Sequence, residues 1–255
     1  MAGAVSLHAL PGIPAVRKGD DLAALIEAGL ARAGLRLAPG DVLVLAQKIV
    51  SKAEGRMLEI EGVVPSPEAV ALAAQVQKDP RLVQVILGES VRVVRARPNV
   101  LIVEHRRGWV MANAGVDHSN VAPPDGRERV LLLPEDPDAS AEALRARLAP
   151  LAGGQLGVVI NDSFGRAWRR GTMGIAIGAA GLPALLDLRG RPDMFGRILE
   201  VSISGFADEI AAAASLVQGQ GAEGQPVVLV RGLGWDQPAT GAAELVRPAA
   251  EDMFR

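Results

Sequence analysis

The chain has 255 residues, 49% hydrophobic and 22% charged, with a formal net charge of −2 and no cysteine. Such a composition supports a sizeable buried core. The missing thiols exclude a disulfide framework, a thiolate zinc site, an iron–sulfur cluster and a cysteine nucleophile. Near-zero charge supplies no basic field for a nucleic-acid backbone, so no nucleic-acid partner is expected.

His8, His105 and His118 are scattered without ligand spacing, so any metal is expected to be held by oxygen. The first ten residues lack a basic segment followed by an apolar run. The most apolar later stretch, 174–186, is too short and too broken by Gly and Pro to span a bilayer. The chain reads as cytoplasmic, without a membrane partner.

In chain order, a short strand leads into the stiff turn Leu10-Pro11-Gly12-Ile13-Pro14. Leu22, Leu25, Ile26 and Leu30 mark one side of a helix over 20–33, and a strand over 42–46 follows. After it come Gln47, Lys48 and Lys52; if this stretch is helical the two lysines share a face and can meet a polyphosphate together, and otherwise they are surface lysines. Ser66 caps a helix over 67–77. Strands over 91–95, 101–103 and 130–133 cluster without helices between them, which argues against a simple alternating sheet. A helix over 139–148, strands over 156–160 and 198–203, a helix over 206–217 and a strand over 227–230 complete the chain. The expected class is α+β with mixed sheets of unusual topology, as one large domain or two merged lobes divided near the Pro/Asp-rich stretch 134–138.

There is no Walker A loop. Gly219-Gln220-Gly221-Ala222-Glu223-Gly224 matches the dinucleotide G-x-G-x-x-G pattern, yet it follows a helix and precedes a strand, the reverse of what that fold requires. Its amides could still hold phosphate oxygens; a flexible turn is the plain alternative. The apolar residues 109–111 lead into Ala112-Asn113-Ala114-Gly115-Val116-Asp117-His118-Ser119-Asn120. There Asp117 suits a hard cation and Asn120 a nucleotide phosphate or sugar, with an Asx turn as the alternative. Residues 156–160 repeat the design and end in Asn161-Asp162-Ser163. If the two ends meet, Asp117 and Asp162 share one metal with phosphate oxygens. Beyond them Arg166, Trp168, Arg169 and Arg170 suit an anionic or planar ligand, or a solvated loop.

Taken in order, LPGIP, GDDL, GDVLVLAQKIVSKAEGR, ANAGVDHSN, NDSFGRAWRRGTMGIAIG, DLRGRPDMFGR and GQGAEGQPVVLVRG resemble the coenzyme F-420 gamma-glutamyl ligase family over nearly the whole chain. The resemblance implies a homodimeric, GTP-dependent enzyme that uses magnesium or manganese, with potassium as an optional further cation. It would add L-glutamate to a deazaflavin precursor bearing a carboxylate. It implies GTP contacts at Gly12, Ile13, Pro14, Gln47, Lys48, Lys52, Asn120 and the loop Gln218, Gly219, Gln220, Gly221, Ala222, Glu223, Gly224 and Gln225. Asp117 and Asp162 resemble ligands of one cation, with Ser163 and Gln220 near a second; with Lys52 they are the candidate catalytic residues. Some relatives have Ser-Thr at Gln47-Lys48, and some carry a C-terminal reductase-like domain; residues 1–255 are expected to hold the ligase domain alone.

The absence of a Ser-His-Asp or Cys-His signature agrees with this chemistry. The triphosphate activates the acceptor carboxyl as an acyl phosphate, and the glutamate nitrogen attacks it, so no protein nucleophile is needed. Two rival readings stay open on the residues alone: a non-catalytic phosphometabolite-binding protein and a metal-dependent phosphohydrolase.

Overall fold

The structure is a computed structural model and describes residues 3–119, 121 and 126–253. Its first half runs β1 (Ser6–Ala9), α1 (Leu22–Arg32), β2 (Asp41–Ala46), α2 (Gln47–Ala53), β3 (Met57–Glu59), α3 (Pro67–Val76), α4 (Pro80–Gly88), β4 (Ser90–Arg97), β5 (Val100–His105) and β6 (Val110–Ala112). Then come β7 (Arg129–Leu131), α5 (Pro137–Ala152), β8 (Leu156–Gly165), β9 (Thr172–Ala180), β10 (Leu186–Asp187), β11 (Ile203–Ser204), α6 (Phe206–Gln218) and β12 (Val227–Arg231). The class is mixed α and β, as the irregular order of elements predicts.

Helix starts follow local chemistry. Asp21, Ser66, Asp79 and Asp136 each accept a hydrogen bond from a backbone amide of the first turn of α1, α3, α4 and α5. Pro67, Pro80 and Pro137 add a fixed φ where no amide donor is needed.

The main sheet has the order β1-β12-β2-β8-β9, and only β2 and β8 are parallel. Val42 and Val44 of β2 pack with Val228, Val230 and α6 residues Phe206, Ile210 and Ala214 on one face. Leu43 and Leu45 pack with Leu229, Ile160 and residues of α1 and α5 on the other. A strand apolar on both faces has to be covered on both, which places it centrally. Asp41, buried at its start, is balanced by Arg231, whose Nε and Nη2 lie 2.8 and 2.7 Å from the two carboxylate oxygens. A separate core gathers Ile60, Val76, Ile86, Leu101, Val103 and Val130 beneath α3, α4 and the β4-β5-β6 sheet.

β9 is one edge of the main sheet, with β1 at the other. Two carboxylates cap β9: Ala176 N donates to Asp208 Oδ1 at 2.9 Å and Ala179 N to Asp138 Oδ1 at 2.8 Å. Charged groups on an edge prevent strand addition there. Burial pushes the Asp208 carboxyl pKa up, against the Ala176 amide.

Two expectations are corrected. Residues 198–203 do not form one strand: Ile203 opens β11, and 198–202 belong to an arm held by spaced bonds such as Gly190 N to Leu199 O, 2.8 Å, and Leu188 N to Ser202 O, 3.0 Å. Its apolar side chains, among them Met194 and Phe195, are exposed, so no core flattens it. β8 does not stop at Ile160 but continues to Gly165 as a hairpin with β9. No helix among the described residues is long and apolar enough to cross a membrane.

Candidate functional site

The parallel pair creates the site. β2 ends at Ala46, opposite Asn161, and turns into α2, whereas β8 runs on. Strand separation at such a point opens a crevice at the carboxyl ends of the strands. β12 begins at Val227 opposite Leu45, which brings the glycine-rich loop to the same end, and Leu10 N bonded to Val227 O at 2.9 Å brings the turn after β1 there too. The result is a cavity of about 570 Å³.

Ile13, Pro14, Gln47, Lys48, Lys52, Asp162, Ser163, Gln218, Gly219, Gln220, Gly221, Gly224 and Gln225 line it. α2 is helical, so Lys48 and Lys52 do share a face. Burial, and then the neighbouring Lys48 charge, hold the Lys52 ammonium pKa below its usual range. Gly12 stands outside the lining with φ +69°; Arg32 donates to its carbonyl and to that of Pro11, which fixes the turn that presents Ile13 and Pro14. Ala222 and Glu223 also stand back, and Glu223 accepts from Gly221 N at 2.8 Å, shaping the loop. Asn120 lies outside the described residues.

Asp117 reaches this end through a left-handed turn. Asn113, Ala114 and Gly115 have φ of 54°, 53° and 70°. Two non-glycine residues in that region cost about 1 kcal/mol or more each, and a side chain at position 115 would press into Leu133. Asp117 is then anchored by both backbone bonds to Leu131. Its Oδ1 accepts from Ser119 N at 2.7 Å, and its Oδ2 from Ser119 Oγ at 2.9 Å and from Lys48, whose Nζ is 2.8 Å away. Burial raises the Asp117 carboxyl, but Lys48 and Ser119 outweigh it and leave its pKa below the usual range.

Asp162 behaves oppositely. Burial pushes its pKa up to about 6; the Asp117 charge adds to the rise, and the Ser163 amide and Lys48 oppose it. Two partly buried carboxylates that act on one another, with the Lys48 charge acting on both, form an anionic pair that a further cation would relieve. Among the described residues no three His, Cys, Asp or Glu side chains cluster. The donors present therefore fit a hard divalent ion that completes its shell with phosphate, water and a hydroxyl such as that of Ser163.

Sequence reasoning missed Asn161 and Ser215. Gln218 Nε2 donates to the carbonyls of Val44 and Pro226, both at 3.3 Å, so its Oε1 is left to accept from Asn161 Nδ2 at 2.6 Å. Asn161 Nδ2 also bonds Ser215 Oγ at 2.9 Å. This buried network ties β8 to α6 and sets the end of the helix from which the glycine-rich loop departs. Its only sequence signal is an amide directly after a continuous apolar run.

Arg166, Trp168, Arg169 and Arg170 form the turn of the β8–β9 hairpin and do not line the cavity. Arg166 Nη1 donates to Gly171 O at 3.1 Å, closing the turn, and Trp168 is 88% exposed with φ 64°.

The family model described as F420-0:Gamma-glutamyl ligase matches residues 12–232. A "Coenzyme F420:L-glutamate ligase" of Methanothermobacter thermautotrophicus is 45% identical over 253 residues, 98% of this chain and 99% of that protein. Proteins of the same description from Methanopyrus kandleri and Archaeoglobus fulgidus are 47% and 43% identical, over 94% and 98% of this chain and 93% and 96% of theirs. With the model covering most of the chain and the relatives matching it nearly end to end, the chain belongs to the F420-0:gamma-glutamyl ligase family.

Proposed function

We propose that this ligase of coenzyme F420 biosynthesis adds L-glutamate to the carboxylate of F420-0 by spending GTP, with magnesium or manganese, through an acyl phosphate, and then extends the tail by gamma linkage. The observation that carries the mechanism is the composition of the cavity and its edge: Lys48 and Lys52 one helical turn apart, Asp162 and a glycine-rich loop line it, and Lys48 pairs with Asp117 just outside the lining. Such an array neutralises and aligns a polyphosphate.

The acceptor carboxylate attacks the terminal phosphorus and GDP leaves. The glutamate amine then attacks the acyl carbon, and phosphate departs with one of the former carboxylate oxygens. Lys48 and Lys52 hold triphosphate oxygens, and amides of Gly219, Gly221 and Gly224 approach the phosphates closely because no side chain intervenes. Asp117 and Asp162 would hold one divalent ion, with Ser163 and Gln220 beside a second; bound there, the metal supplies charge neutralisation on the phosphate oxygens. Asn161, Ser215 and Gln218 keep the loop in place. The arginine-rich turn takes the anionic tail of the acceptor.

The working unit is a cytoplasmic homodimer. Met194 and Phe195 at the tip of the arm, 93% and 92% exposed, give a second subunit apolar surface to cover. Sedimentation showing only monomer at micromolar concentration would count against it.

Incubation with GTP, L-glutamate, Mn²⁺ and F420-0, followed by mass spectrometry, tests the activity. The expected products are the glutamylated cofactor and GDP in the same amount as the glutamate added. Phosphate release without glutamate gain would instead favour a phosphohydrolase.

A further inference from the structure

We propose that Lys48 is a tethered counter-cation that guards the metal site, holding Asp117 until nucleotide arrives, so that Lys48 and a divalent ion exclude one another there. This rests on the reading that Asp117 and Asp162 hold a divalent ion.

Lys48 Nζ lies 2.8 Å from Asp117 Oδ2 and donates to Ser119 Oγ at 2.6 Å and to Ser119 O at 3.4 Å. Asp117 Oδ2 already accepts from Ser119 Oγ, and Oδ1 from Ser119 N. A carboxylate offers about four acceptor positions, and three are occupied. A divalent ion entering at Oδ2 meets an ammonium bound to the same atom, and charges of like sign at contact distance in a half-buried site repel strongly. The ammonium therefore has to leave. Lys48 also lines the cavity, on the same face of α2 as Lys52, so rotation of its flexible stem carries the charge from Asp117 to an incoming phosphate. The nucleotide thus draws off the lysine as the metal takes its place, and metal and nucleotide bind as partners while free metal is refused.

The test is an electron paramagnetic resonance titration of Mn²⁺ into the full chain and into Lys48→Met, first without and then with GTP, after circular dichroism has shown both folded. Without GTP, Lys48→Met is expected to bind Mn²⁺ at least tenfold more tightly than the wild type, and Lys48→Arg to stay weak. Adding Asp117→Asn to Lys48→Met should abolish the tightening. Saturating GTP should raise the wild type's Mn²⁺ affinity more than the variant's. Equal Mn²⁺ affinity of the wild type and Lys48→Met without GTP would overturn the proposal and leave the metal reading intact, as would tightening that survives Asp117→Asn. No Mn²⁺ uptake by either protein, with or without GTP, would remove the metal reading and the guard with it.

Discussion

Replacing Asp162 with asparagine removes a charge that the folded protein holds at a cost. Burial first, and then the Asp117 charge, move this carboxyl from its ordinary 3.8 to about 6. A raised carboxyl pKa favours folding below the unfolded value, and that advantage is lost as pH rises through the folded value. Above about pH 7 the penalty is therefore fully present. The displacement corresponds to about 3 kcal/mol. Asp162 retains partial exposure, and solvent screening reduces the expected gain for Asp162→Asn to about 1–2 kcal/mol. The amide keeps an oxygen for the Ser163 N–H that now bonds Asp162 Oδ1 at 2.8 Å, so no backbone donor is orphaned. Urea unfolding in the presence of a chelator should show the variant more stable than the wild type at about pH 8 and level with it near pH 4. Saturating Mn²⁺ together with GTP should reverse the order at about pH 8, because the wild type gains more from the metal. A variant less stable at every pH without metal, or a difference that ignores pH, would refute the reasoning.

Other perturbations read separate parts of the structure. Lys52→Met should weaken nucleotide binding at least tenfold, about 1.4 kcal/mol; unchanged affinity by calorimetry would remove this lysine from the triphosphate site. Arg169→Ala should raise the acceptor's KM or lower kcat while leaving GTP affinity nearly unchanged; the opposite pattern would move the hairpin turn to the nucleotide. Asp138→Ala strips the acceptor from the amides of Ala179, Ala242 and Ala243, now at 2.8, 2.7 and 3.2 Å. The expected cost is about 2–4 kcal/mol, seen as a lower urea midpoint with the same slope; a shift within error would mean that water replaces the carboxylate.

What the sequence shows and hides follows from where each segment packs. β2 and β12 were legible because both faces are buried and their apolar runs are continuous. β9 was hidden by its glycines. A side chain at Gly174 would strike Ser215 and the Ala211 carbonyl, and one at Gly178 would strike Pro137, so small residues there record the close approach of α6 and α5. α4 carried its signal in Asp79-Pro80, an N-cap followed by a first-turn proline, which short helices easily lose among loop residues. Residues 198–203 are apolar enough for a strand but project on an arm with no core beneath them. At the site, the spacing of Lys48 and Lys52 was local and readable. The Asn161–Ser215–Gln218 network depends on side chains 54 and 57 positions apart, and no local pattern announces such a contact. The pairing of Lys48 with Asp117 is of the same kind: each residue stood out singly, and only the fold joins them.

The most direct measurement of the chemistry follows one oxygen atom. F420-0 carrying heavy oxygen in its carboxylate is incubated with GTP, L-glutamate and Mn²⁺, and phosphate and product are analysed by mass spectrometry. An acyl phosphate places one labelled oxygen in inorganic phosphate and one in the new amide at the first glutamate addition, with GDP formed in the same amount as the glutamate added. Amide formation that leaves the phosphate unlabelled would contradict it.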